Sequence, residues 1–251
     1  MVVLGKIVLA WLVLLGLVIN HSAMALPPDN CDTVVILHGI ARTNKSMIKI
    51  EKALRDAGYN AISITYPSTE KDVDELAQWL HQNYLTAKFW ENNRRVHFVT
   101  HSMGGLVTRE YLEKYRPAIP YRHLGRVVML APPHQGSEVA DLLDQNWLYQ
   151  MYYGPAGQDL TTDAQKSPHP RPYYDLGIIA GNKEWPYFAA AFVVPGPGDG
   201  RVAVEKTRLP GMADHIIVNA THTFIMNDEP AIKQALYFLT HGEFQHEQSN
   251  Q

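Results

Sequence analysis

The residues with the clearest capacity for chemistry are Thr100-His101-Ser102-Met103-Gly104-Gly105. They directly follow a β-rich run, Arg95-Val96-His97-Phe98-Val99, and directly precede a helix pattern. A serine at such a junction sits on a sharp strand-to-helix turn that lifts its hydroxyl above the sheet edge. The turn crowds the positions two before and two after the serine. Gly104 meets that demand fully and Thr100 only in part, a departure from G-x-S-x-G. The helix that starts here also brings a positive dipole end to a place where negative charge would develop.

A second constellation is Val34-Val35-Ile36-Leu37-His38-Gly39-Ile40, a hydrophobic strand ending in His-Gly. Gly39 allows the backbone to turn so that a main-chain N–H enters the site. The N–H groups of Ile40 and Met103 together would form a two-donor oxyanion hole. His-Gly after a strand means little alone; paired with the Ser102 turn it points to acyl transfer.

Together the HGI after the first strand and the HSMGG at the nucleophile resemble the secreted bacterial lipases and esterases of the α/β-hydrolase fold. The resemblance runs from Thr33 to about Gly242, apart from a segment in the middle. It implies carboxyl-ester hydrolysis, no cofactor, and oxyanion donors at Ile40 and Met103. It also implies the chain order Ser, then Asp or Glu, then His. The base then falls on His222, in Asn219-Ala220-Thr221-His222-Thr223-Phe224 between the last strand and the last helix. His215 is the competitor, but it opens a strand. The orienting acid falls on Asp199 in Gly196-Pro197-Gly198-Asp199-Gly200-Arg201-Val202, with Glu205 and Asp175 as alternatives. Substrate contacts are expected from His38, Gly39, His101, His134, Trp147 and Tyr149, although packing is an ordinary role for His101 and His134. The same machinery also serves acyl transfer to another acceptor, or deacylation of amides and lipids. A binding protein on an inactive scaffold would have no need of all three groups.

Other chemistry has less support. The 12 histidines include no H-E-x-x-H pair and no matching Cys/His cluster, so no metal is expected. The Gly196 to Gly200 run lacks the Lys-Ser/Thr of a phosphate loop.

These residues need a scaffold, and the hydrophobic pattern describes one. Thr33 to His38, Ala61 to Thr65, Val96 to Thr100 and Val127 to Ala131 are short and apolar on both faces, as strands of a covered parallel sheet are. Leu176 to Ala180 and His215 to Asn219 extend the set to about six. Helical stripes lie between them: Met47, Ile50, Leu54, Ala57; Val73, Leu76, Ala77, Leu80, Tyr84; Leu106, Val107, Leu112; and Ile232, Ala235, Leu236, Leu239. The alternation predicts an α/β class, a doubly wound, mostly parallel sheet flanked by helices. Residues 145–172 carry Trp147, Tyr149, Tyr152 and Tyr153 and then three prolines, without clear periodicity. They are expected to form a lid-like insertion or pocket wall.

The 251 residues, 46% hydrophobic and 19% charged, fit one folded domain. Residues 1–25 differ from the rest: Lys6, an apolar run from Ile7 to Ile19, then Ser22-Ala23-Met24-Ala25. This is the pattern of an export signal cleaved after Ala25, and thirteen apolar residues fall short of the roughly 20 of a membrane span. The expectation is a hydrolase domain over 26–251 in the periplasm or medium, with an uncleaved tether as the alternative. The net charge of −3 becomes −4 once Lys6 is removed, and no basic cluster invites nucleic acid. The expected partner is a small-molecule or lipid ester, with transient contact to a lipid surface, and the chain is expected to act as a monomer. Cys31 is the only cysteine, so the fold rests on its core without an intrachain disulfide.

Overall fold

The computed structural model describes residues 31–143, 147–165, 169–184 and 196–246. The proposed export signal, residues 1–25, lies outside them. Six parallel strands form one sheet in the order β2-β1-β3-β4-β5-β6. They are β1 (Thr33–Leu37), β2 (Asn60–Ile64), β3 (Val96–His101), β4 (Leu124–Leu130), β5 (Leu176–Gly181) and β6 (Asp214–Val218). All six expected strands are present, with shifts at their ends.

Strand β1 shows why its sequence is apolar throughout. Val35 and Leu37 enter one hydrophobic layer, and Val34 and Ile36 the other. Side chains alternate across the sheet, so a strand covered on both faces needs apolar residues at both parities. The first layer is closed by α2 (Val73–Asn83), α3 (Ala87–Asn92) and α4 (Met103–Lys114), through Leu76, Leu80, Trp90, Leu106 and Val107. The second is closed by α1 (Ile48–Asp56) and α7 (Glu229–His241), through Ile50, Leu54, Ala235 and Phe238. Each large side chain so buried contributes about 1.5–3 kcal/mol.

Local signals set the helix ends. Asp72 and Glu75 form a reciprocal capping box at the start of α2. Asp228 caps α7, Pro230 occupies its first turn, and Gly242 ends it in the left-handed region at φ 83°.

Strand β4 begins three residues earlier than its apolar run. Gly125 and Arg126 fall outside that run, yet they belong to the strand, where His97 packs against them. A Cβ on Gly125 would lie 2.7 Å from Nδ1 of His97, which also accepts the Arg126 N–H at 2.9 Å.

After β4 comes α5 (Glu138–Leu143), and the segment expected to lack periodicity, residues 145–172, holds helix α6 (Trp147–Gln158). A kink at Gly154, φ 60°, followed by Pro155, divides α6 and hides its period. No residue with a side chain fits at Gly154, where a Cβ would overlap the carbonyl oxygen of Thr69.

The chain runs from β1 outward to β2 and then crosses to β3 on the other side of β1. That reversal places a topological switch point between the carboxyl ends of β1 and β3, where open α/β sheets bind ligands.

Candidate active site

Both sequence constellations meet at this switch point. Ser102 follows β3 directly and stands before the first residue of α4, with φ 53° and ψ −125°. A positive φ at a non-glycine residue costs about 1–3 kcal/mol, so the surroundings must impose it. Tight packing does so. A Cβ on Gly104 would come within 2.7 Å of the His38 carbonyl and 2.9 Å of the Leu37 carbonyl, so only glycine lets α4 approach β1 this closely.

The side chain of Ser102 is 5% exposed, and its Oγ lies 2.9 Å from Nε2 of His222. Nδ1 of His222 lies 2.8 Å from Oδ2 of Asp199. Asp199 is fully buried, and its Oδ1 accepts the N–H groups of Arg201 at 3.0 Å and Val202 at 2.9 Å. The loop that carries His222 is tied back as well, with the His222 N–H donating to the Asp199 carbonyl at 2.9 Å. Gly181, at the end of β5, makes room for this pair. A Cβ there would fall 2.8 Å from Cβ of Asp199 and 2.4 Å from the Ala220 carbonyl. Sequence reasoning did not single out Gly181, because a strand-terminal glycine carries no signal of what packs against it.

The alternatives to these three residues are engaged elsewhere. His215 lies within β6, with Nε2 3.0 Å from Thr207 Oγ1. Asp175 faces Arg126 at 3.6 Å, and Glu205 faces Arg208 at 3.2 Å.

Met103 is the first residue of α4, where a backbone N–H has no intrahelical acceptor. Ile40 lines the cavity above Ser102. Its loop is braced at both ends: the Ala41 N–H donates to Ser68 Oγ at 3.1 Å, and the ring of His38 stacks on Tyr66 at 4.3 Å.

That cavity, about 360 Å³, also touches Gly39, His101 and His222. One wall is apolar: Val139, Ala140, Leu142 and Leu143 from α5, with Leu160. The sequence held a trace of this wall in Val139, Ala140, Leu142 and Leu143, on either side of Asp141, but nothing in it said which strand end they would cover. Arg42, Arg201 and Tyr153 line the cavity too.

Two residues named as candidate substrate contacts are not among those that line this cavity. His38 is fully buried and does not line the cavity; its Nδ1–H donates to the Gly39 carbonyl at 2.8 Å, and Nε2 faces the Tyr66 N–H at 3.4 Å. Burial lowers its pKa to about 4, so it is a neutral brace for the loop. His134 is equally buried and away from the cavity. Its Nδ1 accepts from Arg109 at 2.9 Å, and Arg109 also reaches Gln165 at 2.8 Å. Both histidines follow a strand on the correct side of the sheet, but their rings turn into the protein.

His101 lines the cavity and also holds the loop of His222, its Nε2–H donating to the His222 carbonyl at 2.9 Å. Burial first, then the neighbouring His222 and Arg42, keep its pKa well below the usual imidazole range. Trp147 and Tyr149 fall in α6, but their side chains lie outside the described residues. Among the described residues, no group of three His, Cys, Asp or Glu side chains is placed to hold a metal.

An open parallel sheet with a strand–Ser–helix turn at its switch point defines an α/β-hydrolase. The chain belongs to the palmitoyl protein thioesterase family, whose model matches residues 33–175. It is thus a member of a family of ester and thioester hydrolases. The fold is similar to that of a lipase from Bacillus licheniformis in its mature form, with 25% identity over 86% of this chain and 94% of that one, and a TM-score of 0.66. It is also similar to a metagenomic carboxyl esterase (18% identity, 80% and 67% covered, TM-score 0.64). A thioesterase of the prodiginine biosynthetic pathway in Streptomyces coelicolor shares the fold at 16% identity, with 89% and 96% covered and a TM-score of 0.53. No curated protein matches the chain.

Proposed function

We propose that the chain cleaves acyl esters or thioesters through an acyl-enzyme on Ser102. His222, oriented by Asp199, takes the Ser102 proton as Oγ attacks the acyl carbon. The developing oxyanion is held by the N–H groups of Ile40 and Met103, and the alcohol or thiol leaves with the proton from His222. Water, deprotonated by His222, then releases the acid and restores Ser102. The single observation that supports this most is the continuous relay at 2.9 Å and 2.8 Å from Ser102 through His222 to Asp199. The amides of Arg201 and Val202 hold the carboxylate where it fixes the tautomer, with the His222 Nε2 lone pair toward Ser102.

The acyl chain rests against the apolar wall of α5 and Leu160, which suits a hydrocarbon and offers little to a polar acyl group. Thioesters enter the reading from the family, since the sequence resemblance spoke for carboxylic esters alone. We extend the proposal to domain layout and location: residues 1–25 direct export and are removed, and 26–251 form the hydrolase. Among the described residues no helix is long and apolar enough to cross a membrane.

The test is kinetic. Ser102→Ala lowers kcat on p-nitrophenyl palmitate and on a palmitoyl thioester by about 10⁶. Asp199→Asn lowers it by about 10⁴ with the fold intact, because the amide permits the wrong tautomer of His222. Turnover by Ser102→Ala at the wild-type rate would overturn the reading.

A further inference from the structure

Ile40 lines the cavity on a loop whose shape has to be imposed from outside. Ala41, the next residue, has φ 54°, a left-handed conformation that a residue with a side chain adopts only where its surroundings demand it. The peptide groups on either side of Ile40 are held by one short segment, Tyr66 to Ser68, which follows β2. Ahead of Ile40, the His38 imidazole donates from Nδ1 to the Gly39 carbonyl at 2.8 Å. That carbonyl shares a planar peptide with the Ile40 N–H, so holding one fixes the direction of the other toward the opposite side. The ring is held in turn by Tyr66, which stacks on it at 4.3 Å and turns its own N–H toward Nε2 at 3.4 Å. The Tyr66 hydroxyl donates to the His38 carbonyl at 2.5 Å, and burial pushes its pKa upward, so it stays a donor. Beyond Ile40, the Ala41 N–H donates to Ser68 Oγ at 3.1 Å. Tyr66 and Ser68 are both buried, and neither lines the cavity. Their segment is anchored from its far side by α6 and the residue after it. The Thr69 carbonyl presses on Gly154, and Asp159 Oδ2 accepts the Val73 N–H at 2.8 Å.

We propose that Tyr66 and Ser68 are positioning residues for the reaction: they aim the Ile40 N–H, through His38 and Ala41, at the oxyanion that forms on the acyl carbon. The inference rests on the reading of Ser102 as nucleophile and of the Ile40 N–H as an oxyanion donor, and adds the side chains that set that donor's direction. Neither side chain touches substrate. A donor aimed at the place the oxyanion will occupy acts on the transition state and little on the bound ester, whose oxygen lies elsewhere. The mark of such a role is a loss in kcat with KM unchanged. Packing alone would give another signature, a loss of folded enzyme with the properties of the remaining sites intact.

Wild type, Tyr66→Phe, Ser68→Ala, the double variant and Ser68→Thr are compared on p-nitrophenyl palmitate. Each is also titrated with two inhibitors. One is a long-chain alkyl trifluoromethyl ketone: Ser102 Oγ adds to its carbonyl carbon, the Ser102 proton passes to His222, and the carbonyl oxygen becomes an oxyanion. The other is the matched secondary alcohol, which cannot form one. Each single variant is expected to lower kcat about fivefold with KM unchanged, the weight of one hydrogen bond. The double variant is expected to lose more, up to the roughly 10²- to 10³-fold of a missing oxyanion donor. The Ki of the ketone should rise by the factor by which kcat falls, while that of the alcohol stays constant. Ser68→Thr, which keeps a hydroxyl, should recover most of the loss. An inhibition constant is independent of how much of the preparation is folded, so a purely structural defect moves neither Ki. Ketone affinity unchanged in the double variant, or an equal weakening of the alcohol, would overturn the proposal. Ser102→Ala separates this from the premise: ketone binding there as tight as in wild type refutes the nucleophile. Binding that needs Ser102 and is untouched by the double variant refutes the positioning role alone.

Discussion

His101 ties the turn of Ser102 to the loop of His222, from the position immediately before Ser102. Its sequence position told only that it would lie near the site, and the contact with the His222 carbonyl became visible once the chain was folded. A donor in that place fixes where the imidazole of His222 stands relative to Ser102. His101→Phe is expected to lower kcat about fivefold with KM little changed, the weight of one hydrogen bond of about 1 kcal/mol. His101→Gln, which keeps an N–H donor, is expected to regain most of it. An equal loss in both variants would assign His101 to packing alone. The three residues of the relay were legible for a different reason. Acyl transfer needs a nucleophile, a base and an orienting acid, and the fold fixes their order along the chain. The packed settings of His38 and His134 were not legible, because sequence gives the strand end a ring follows but not which way the ring turns; for His134 packing was the expected role beside a place in the pocket.

At the scale of elements, the strands were legible where both faces are apolar, as in β1 and β3. Two features were hidden. The start of β4 was masked by Gly125, a glycine required by the ring of His97 and not by a turn. Helix α6 was masked by the break at Gly154 and Pro155, and α5, which supplies most of the cavity wall, is a six-residue helix too short to show a period. The contact of α4 with β1 is the element-level feature on which the site depends most. Gly104→Ala is expected to cost about 1–3 kcal/mol, since the added methyl meets backbone carbonyls of Leu37 and His38 that cannot swing aside. Thermal unfolding should register this as a fall in Tm of several degrees. Because the strain falls on the turn itself, kcat is expected to drop as well. An unchanged Tm would show that the helix can withdraw without cost.

The whole molecule carries an acid sensitivity written in its buried histidines. His38 and His97 have their pKa lowered to about 4 from 6.5, in both cases chiefly by burial. His101 and His134 are also lowered, again chiefly by burial. In the unfolded chain these rings bind protons below pH 6.5; in the folded protein His38 and His97 do not until about pH 4, and burial likewise keeps His101 and His134 neutral well below the usual range. The unfolded state therefore holds more protons in that window, and stability falls as the pH falls through it. For His38 and His97 the loss amounts to about 3 kcal/mol each once the pH reaches the folded values. Urea midpoints measured from about pH 7 down to about pH 4.5 should decline steeply. His97→Gln is expected to flatten part of the slope, and a midpoint independent of pH would contradict this picture.

The most direct measurement is reaction of the purified protein with a fluorophosphonate probe, followed by mapping of the adduct by mass spectrometry. A serine activated by the His222–Asp199 pair reacts, and an ordinary buried hydroxyl does not. The account predicts a single adduct on Ser102, absent in Ser102→Ala and strongly reduced in Asp199→Asn. An adduct on another serine, or none on Ser102 in a preparation that turns over palmitoyl esters, would contradict it.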